Sequence, residues 1–288
     1  MALTGNPRSV TFGALPVKRA RLHCMRLATW NVNSLKARLE RVLAWAERNQ
    51  PDVLCLQETK LSDSAVPALA FAELGYEVAH NGAGRWNGVA IASRIGLTDV
   101  LAGLPAGDGW TDDGGRFLAA TCGPMRVASI YVPNGRVLDS EFYLQKLEWL
   151  DRLAGWLDDN DPGTELAICG DYNVAPEDID VWDPAAVHGA THVSPQERAA
   201  VAKLREWGMV DVVRKFNPEP GFFSWWDYRA GNFHKNLGMR IDHIYVSAPL
   251  AARAVAATRD RDARKPSTYP GIPSDHAPLI VDFADGGA

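Results

Sequence analysis

The chain has 288 residues, 47% of them hydrophobic and 23% charged, with 30 Lys+Arg against 35 Asp+Glu for a net charge of −5. This length fits one large domain or two small ones, and the acidic balance argues against holding a polyanion by overall charge, so a nucleic acid would need a local basic patch or metal ions. Cys24, Cys55, Cys122 and Cys169 form no CxxC, and three of them lie in apolar runs, a pattern of core thiols in a reducing cytoplasm rather than of a zinc or disulfide framework; no apolar run approaches the roughly 18 residues of a membrane span.

Residues 1–24 are basic and lack any acid. They have no long apolar stretch of the secretory kind and read as a flexible extension ahead of one catalytic domain, 25–285. Residues 26–32 form a strand-like run ending in Asn31 and Asn33. Residues 35–48 carry Leu35, Leu39, Val42, Leu43 and Ala46 on one helical face until Pro51 breaks the pattern. An apolar strand over 52–57 runs into Glu58-Thr59-Lys60. A short helix over 67–74 stops at Gly75. Strand-like segments then follow at 76–80, 88–93, 98–101, 117–122 and 125–132, which suggests an antiparallel meander.

The spacing predicts a helix over 140–157 with Ser140 as N-cap. The apolar strand 166–169 follows, ends at Gly170, and places Asp171 and Asn173 at i and i+2, on one side of an extended chain. An Asx turn is the plain alternative there. Ser194-Pro195-Gln196-Glu197 has the signature of a helix start, with the helix running to Trp207 and stopping at Gly208. The aromatic segment 222–229 reads as a strand. Further strands are predicted at 240–247, 255–258 and 279–283. Strands with interspersed helices imply two packed sheets flanked by helices, an α/β class.

Five places put polar groups at strand ends or in adjoining loops: Asn31 with Asn33, Glu58, Asp171 with Asn173, Asp242, and Asp275 with His276. Each has a structural explanation taken alone, as a cap, a turn or a buried pair. Together they supply the parts of metal-assisted phosphodiester hydrolysis. Glu58 offers a carboxylate and Asn31 a neutral oxygen to a hard divalent cation. Asp171 can deprotonate a water, which Asn173 can hold. His276, paired with Asp242, can donate to charge developing on a phosphoryl oxygen.

At these residues the sequence resembles the exonuclease III family of DNA-repair nucleases. The resemblance spans nearly everything from Met25 to Phe283, through Thr29-Trp30-Asn31-Val32-Asn33-Ser34-Leu35, Leu56-Gln57-Glu58-Thr59-Lys60, Tyr131-Val132-Pro133-Asn134-Gly135, Gly170-Asp171-Tyr172-Asn173, Phe223-Ser224-Trp225-Trp226-Asp227-Tyr228-Arg229, Arg240-Ile241-Asp242 and Ser274-Asp275-His276-Ala277-Pro278. It implies a four-layer α/β/β/α sandwich of the deoxyribonuclease I-like kind. It also implies a Mg²⁺ enzyme, with Mn²⁺ as substitute, that cleaves duplex DNA 5′ to abasic sites and trims 3′ ends. Carried over by position, Glu58, Asn31, Asp171, Asn173 and Asp275 would be the metal set. Tyr131, Asp171, Asn173, Asp242 and His276 would be catalytic, the general base being Asp171 or His276. Trp225 would face the abasic sugar, and Arg116, Asn134, Arg136 and Arg229 would contact phosphates.

Two positions depart from the family pattern: Ser34 stands where Gly is common, and Asn33 replaces an acid found in some relatives. The implied partner is double-stranded DNA, acted on by a monomer in the cytoplasm, on the nucleoid, and away from membranes. Two competing readings are a phosphoinositide- or sphingomyelin-type phosphoesterase of the same fold and a DNA-binding protein without catalysis.

Overall fold

The computed structural model describes residues 24–105, 108–112 and 114–286; of the N-terminal extension only Cys24 falls among them, and it already belongs to the first strand. The strands are β1 (Cys24–Asn31), β2 (Val53–Gln57), β3 (Glu77–Asn81), β4 (Val89–Ser93), β5 (Thr98–Ala102), β6 (Phe117–Cys122), β7 (Met125–Tyr131), β8 (Leu166–Asp171), β9 (Val210–Asp211), β10 (Asp242–Val246), β11 (Ala254–Arg259) and β12 (Leu279–Ala284). The α-helices are α1 (Leu35–Asn49), α2 (Ala68–Ala72), α3 (Glu141–Asp158), α4 (Pro195–Trp207), α5 (Val212–Phe216), α6 (Asn232–Lys235) and α7 (Ala248–Arg253). The strands form two six-stranded sheets, in the orders β11-β12-β1-β2-β4-β3 and β5-β6-β7-β8-β10-β9.

Alternation along the strands explains the layering. In β1, Leu27 faces the opposite sheet, while Ala28 and Trp30 pack beneath Leu35, Val42, Trp45 and Ala46 of α1. In β8, Ala167 and Cys169 meet the inter-sheet core, while Leu166 and Ile168 pack against Leu150, Leu153 and Leu157 of α3 and Val201 and Leu204 of α4. Both faces of each inner strand are covered, so those strands read as continuous apolar runs. The result is the expected α/β/β/α sandwich.

The helix ends follow from local chemistry. Ser140 caps α3 by accepting from Tyr143 N at 3.2 Å. Ser194 and Glu197 form the full reciprocal box at the start of α4, and Gly208 closes it at φ 116°. Gly170 is required on other grounds: a Cβ there would lie 2.0 Å from the Ile130 carbonyl oxygen of the neighbouring strand.

Two expectations need correction. The run of strands from 76 to 132 is not one meander, since β3 and β4 belong to the first sheet and β5, β6 and β7 to the second. The aromatic segment 222–229 is not a strand; within it only Trp225 makes bridges, to Met239 and His276. Its side chains therefore do not alternate: Phe223 and Trp226 are both buried, Trp225 is half-buried and Tyr228 is exposed. Ser224 anchors the segment, its Oγ accepting from Ile241 N and Asp242 N.

Arg240, just before β10, is buried and donates to Asp180 at 2.6 and 3.1 Å and to Asp211 at 2.7 Å. It also donates to His243 Nδ1, so His243 donates through Nε2 to Val174 O. Burial pushes the carboxyls of Asp180 and Asp211 up, but Arg240 outweighs it, and both titrate below the ordinary 3.8. A depressed folded-state value means that the stabilisation is complete above the ordinary value of the unfolded carboxyl and is lost as pH falls from there through the folded value. Asp180→Asn should cost about 1–3 kcal/mol at neutral pH by leaving the buried Arg240 guanidinium with Asp211 as its one remaining carboxylate partner. Urea unfolding at pH 7 and pH 3 checks this: the wild type should lose stability over that interval and the variant should lose less.

Candidate active site

The strand parity that builds the core also builds the site. On β1 and β8, Asn31 and Asp171 continue the inter-sheet series of Leu27 and Cys169; on β10, Asp242 shares parity with Ile244 and Val246. All three stand at the same rim, because β1 and β8 end there and the antiparallel β10 begins there. One step deeper lies a small polar layer, in which Gln57 Nε2 donates to Thr29 Oγ1 and Ser129 Oγ, each at 3.0 Å. It separates the apolar core from the charged rim.

Asn31 clamps the two acids. Its amide nitrogen donates to Glu58 Oε1 and Asp171 Oδ2, both at 2.9 Å, while its oxygen accepts from Asn33 N. Here Asn31 presents N–H groups to the carboxylates, whereas the sequence suggested a neutral oxygen. Asp171 Oδ1 accepts from Asn173 N at 2.9 Å. The Asx turn and the converging acids are thus one structure. Asn173 donates its amide to Val132 O and accepts from Asn134 Nδ2.

From the other side comes His276, held by the 274–277 segment. Ser274 Oγ donates to Asn31 O, and Trp30 Nε1 donates to His276 O. His276 Nδ1 donates to Asp242 Oδ2 at 2.8 Å, and Nε2 points to Asp171 Oδ2 at 3.8 Å. Burial alone would lower the imidazole, but Asp242, then Asp171 and Asp275, raise it to about 10, so the ring is cationic at neutral pH. Asp171 is raised to about 7, chiefly by burial, with Asp242 and Glu58 adding and His276 opposing. Tyr131, at the end of β7, is held well above 10 by burial and by the charges of Glu58 and Asp171, so its hydroxyl stays protonated.

Ligand atoms of Glu58, Asp171 and His276 lie within 4.8 Å of one another. Carboxylate oxygens around such a gap suit a hard divalent cation. Glu58 also has a cationic neighbour: Lys60 Nζ is 2.9 Å from Glu58 Oε2 and donates to Asn33 Oδ1 at 2.6 Å. Asp275 stands aside from this group, its oxygens accepting from Asn33 Nδ2 and Trp225 Nε1.

A cleft of about 340 Å³ opens beside Glu58 and Tyr131, lined also by Lys60, Trp86, Arg116, Asn134 and Arg136. Arg116 lies 4.9 Å over the Tyr131 ring and Arg136 3.7 Å over Phe142. Trp225 sits away from it, against Asp275. Arg229 does not line it, and instead pairs with Asp227 on an exposed loop. Lys60 and Gln57 were not singled out from the sequence. Lys60 was visible beside Glu58, and its spacing could have flagged it; nothing marked Gln57.

A two-sheet sandwich with a charged imidazole facing paired acids at one rim defines a phosphoester hydrolase. The profile of the Endonuclease/Exonuclease/phosphatase family matches residues 28–276, and the chain belongs to that family. It is 33% identical to the exodeoxyribonuclease III of Haemophilus influenzae over 90% of this chain and 100% of that one. Two solved structures are each 39% identical, covering 90% of this chain and 99% of theirs: an AP endonuclease from Archaeoglobus fulgidus, with a TM-score of 0.84, and a 3′ phosphatase from Neisseria bound to a product DNA hairpin, with a TM-score of 0.85.

The rim is conformationally strained. Asn33, Ser34, Glu58, Lys60 and Asn173 all have positive φ, at 44°, 88°, 50°, 53° and 50°. Ser34 adopts φ 88° and ψ 102° while capping α1. Replacement by Gly relieves about 1–3 kcal/mol of strain, at the expense of about 0.5–1 kcal/mol in chain entropy and a few tenths for the cap. Ser34→Gly should therefore raise stability by about 1 kcal/mol, read as a higher denaturation midpoint with an unchanged m-value.

Proposed function

We infer that this protein is a divalent-metal-dependent DNA-repair nuclease of the exodeoxyribonuclease III type, cleaving duplex DNA 5′ to abasic sites and removing nucleotides or blocking groups from 3′ ends. The observation that carries the reading is the approach of Glu58, Asp171 and His276 to within 4.8 Å at the rim of this family's sandwich. The names of its relatives support the substrate: an exodeoxyribonuclease III, an AP endonuclease and a 3′ phosphatase. The cleft beside the acids gathers Lys60, Arg116 and Arg136 on a chain of net charge −5, the local basic patch that a polyanion needs.

Glu58 and Asp171 are the proposed holders of Mg²⁺, or Mn²⁺ in its place, with Asn31, Asn173 and Asp275 supporting them. When bound, such an ion supplies positive charge to the scissile phosphate. Asp171 accepts the proton of the attacking water. Asn173 orients that water. His276, kept charged by Asp242, donates from Nε2 to a phosphoryl oxygen as negative charge builds. Tyr131, protonated, donates to the phosphate or to the leaving oxygen. Arg116, Asn134, Arg136 and Arg229 hold flanking phosphates and Trp225 borders the abasic sugar. The protein works as a monomer in the cytoplasm, on nucleoid DNA; among the described residues no helix is long and apolar enough to cross a membrane.

An end-labelled duplex with one abasic site provides the test. The wild type should nick it 5′ to the site in Mg²⁺ and not in chelator. Glu58→Ala and Asp171→Asn should each lower kcat/KM by about 10³-fold or more, a loss of roughly 4 kcal/mol of transition-state stabilisation, with unchanged melting curves. Full activity in both variants would reject the site.

A further inference from the structure

Behind the rim lies a buried ion pair that the steps above do not use. Lys146 of α3 and Glu197 of α4 form a salt bridge in which neither side chain has any solvent exposure. Lys146 Nζ also donates to Asn173 O at 2.6 Å and to Asn134 O at 3.4 Å. Glu197 accepts from His192 N at 2.9 Å and from Ser194 N and Oγ at 3.0 and 2.7 Å. Thr191 Oγ1 lies 2.9 Å from Glu197 and 3.1 Å from Asn134 O, and His192 Nδ1 donates to Asn173 O. The lysine stem runs past Gly135, where a Cβ would come within 2.9 Å of Lys146 Cδ.

Burying an ammonium and a carboxylate costs several kcal/mol, and an apolar pair would join α3 to α4 without that cost. An apolar pair could not, however, donate to the two carbonyls. Those carbonyls belong to Asn134 and Asn173, whose side chains bond to each other beside Asp171. Asn173 is left-handed, a conformation that persists only when its surroundings impose it. Three sides impose it here: Asp171 Oδ1 on its N–H, Val132 O on its amide, and Lys146 with His192 on its carbonyl.

We propose that the Lys146–Glu197 pair is a positioning device, holding the 134, 173 and 191–194 segments in register so that the Asn173 amide meets the attacking water and the Asn134 amide a flanking phosphate correctly. The proposal rests on the nuclease reading given above. Misplacing an orienting group by about 1 Å is enough to lower a rate about 100-fold. Lys146→Met combined with Glu197→Leu removes both charges together and should fold, with a melting temperature a few degrees below that of the wild type because the α4 capping box is lost with Glu197. On the abasic duplex its kcat should fall about 100-fold with KM changed less than threefold. Lys146→Arg, which keeps the charge and the donors, should stay within tenfold of wild type.

The side-chain amide NMR signals of Asn134 and Asn173 give a readout independent of turnover. They should shift or broaden in the double variant and keep their positions in Lys146→Arg. Glu197→Gln, nearly isosteric, is the second variant if the double one does not fold, with the same signals displaced and kcat down about tenfold. Wild-type kcat, or unmoved amide signals, in a folded charge-removed variant would overturn the proposal. A loss of activity that merely tracks the unfolded fraction would do the same. A wild type inert on abasic DNA would instead remove the nuclease reading, leaving the amide signals to decide the positioning role.

Discussion

The two-residue period of a β-strand is the constraint on which this molecule depends. Once Leu27 and Cys169 are committed to the space between the sheets, Asn31 and Asp171 must face the same space, because each lies an even number of residues further on. Asp242 reaches it from the opposite chain direction by the same rule. The chain cannot keep its inter-sheet core and turn these groups outward, since a slip of one residue would expose the apolar series along with them. The site is thus the continuation of the core pattern past the point where apolar side chains stop.

Charge is handled in graded steps at that rim. The apolar layer gives way to Thr29, Gln57 and Ser129, which are neutral and mutually bonded, and only then to acids. Each acid there has a stated companion: Asn31 for Glu58 and Asp171, Lys60 for Glu58, His276 for Asp242, and Asn33 with Trp225 for Asp275. Asp242 Oδ1 is the exception, buried with no hydrogen-bond partner. Leaving that oxygen bare strengthens its field on the imidazole, consistent with the raised value of His276. The Arg240 network with Asp180, Asp211 and His243 lies next along the chain and steadies the start of β10 from the side away from the rim.

Much of this was legible in the residues. Two packed sheets flanked by helices followed from apolar runs bounded by turns, the four-layer α/β/β/α order from the family resemblance, and the boundaries of β6 and α4 fell where the patterns put them. Ser140, Ser194 and Gly208 acted as their side chains, or the lack of one, dictate. The convergence of Asn31, Glu58, Asp171, Asp242 and His276 could be anticipated because all lie at strand ends or in adjoining loops and because the family resemblance sets those ends together. The aromatic segment 222–229 misled because β propensity reflects packing on a sheet face, and here the same residues pack as an irregular span tied down by Ser224. The division of strands 76–132 between two sheets was hidden, since local sequence does not say which partner a strand will find. Lys146 and Glu197 were invisible as a pair: each sits on an otherwise ordinary helix, and only the tertiary fold brings them together.

The order in which the polypeptide is made has a bearing on when this protein can act. Its first strand pairs with its last, Cys24 opposite Ala284, and Asn31 is fastened through Ser274. Asp275 and His276 are therefore made long after Asn31, and a growing chain lacks the imidazole that completes the constellation until they have emerged from the ribosome. Competence to cut is thereby delayed until that segment has joined the first strand, a form of timing written into topology alone.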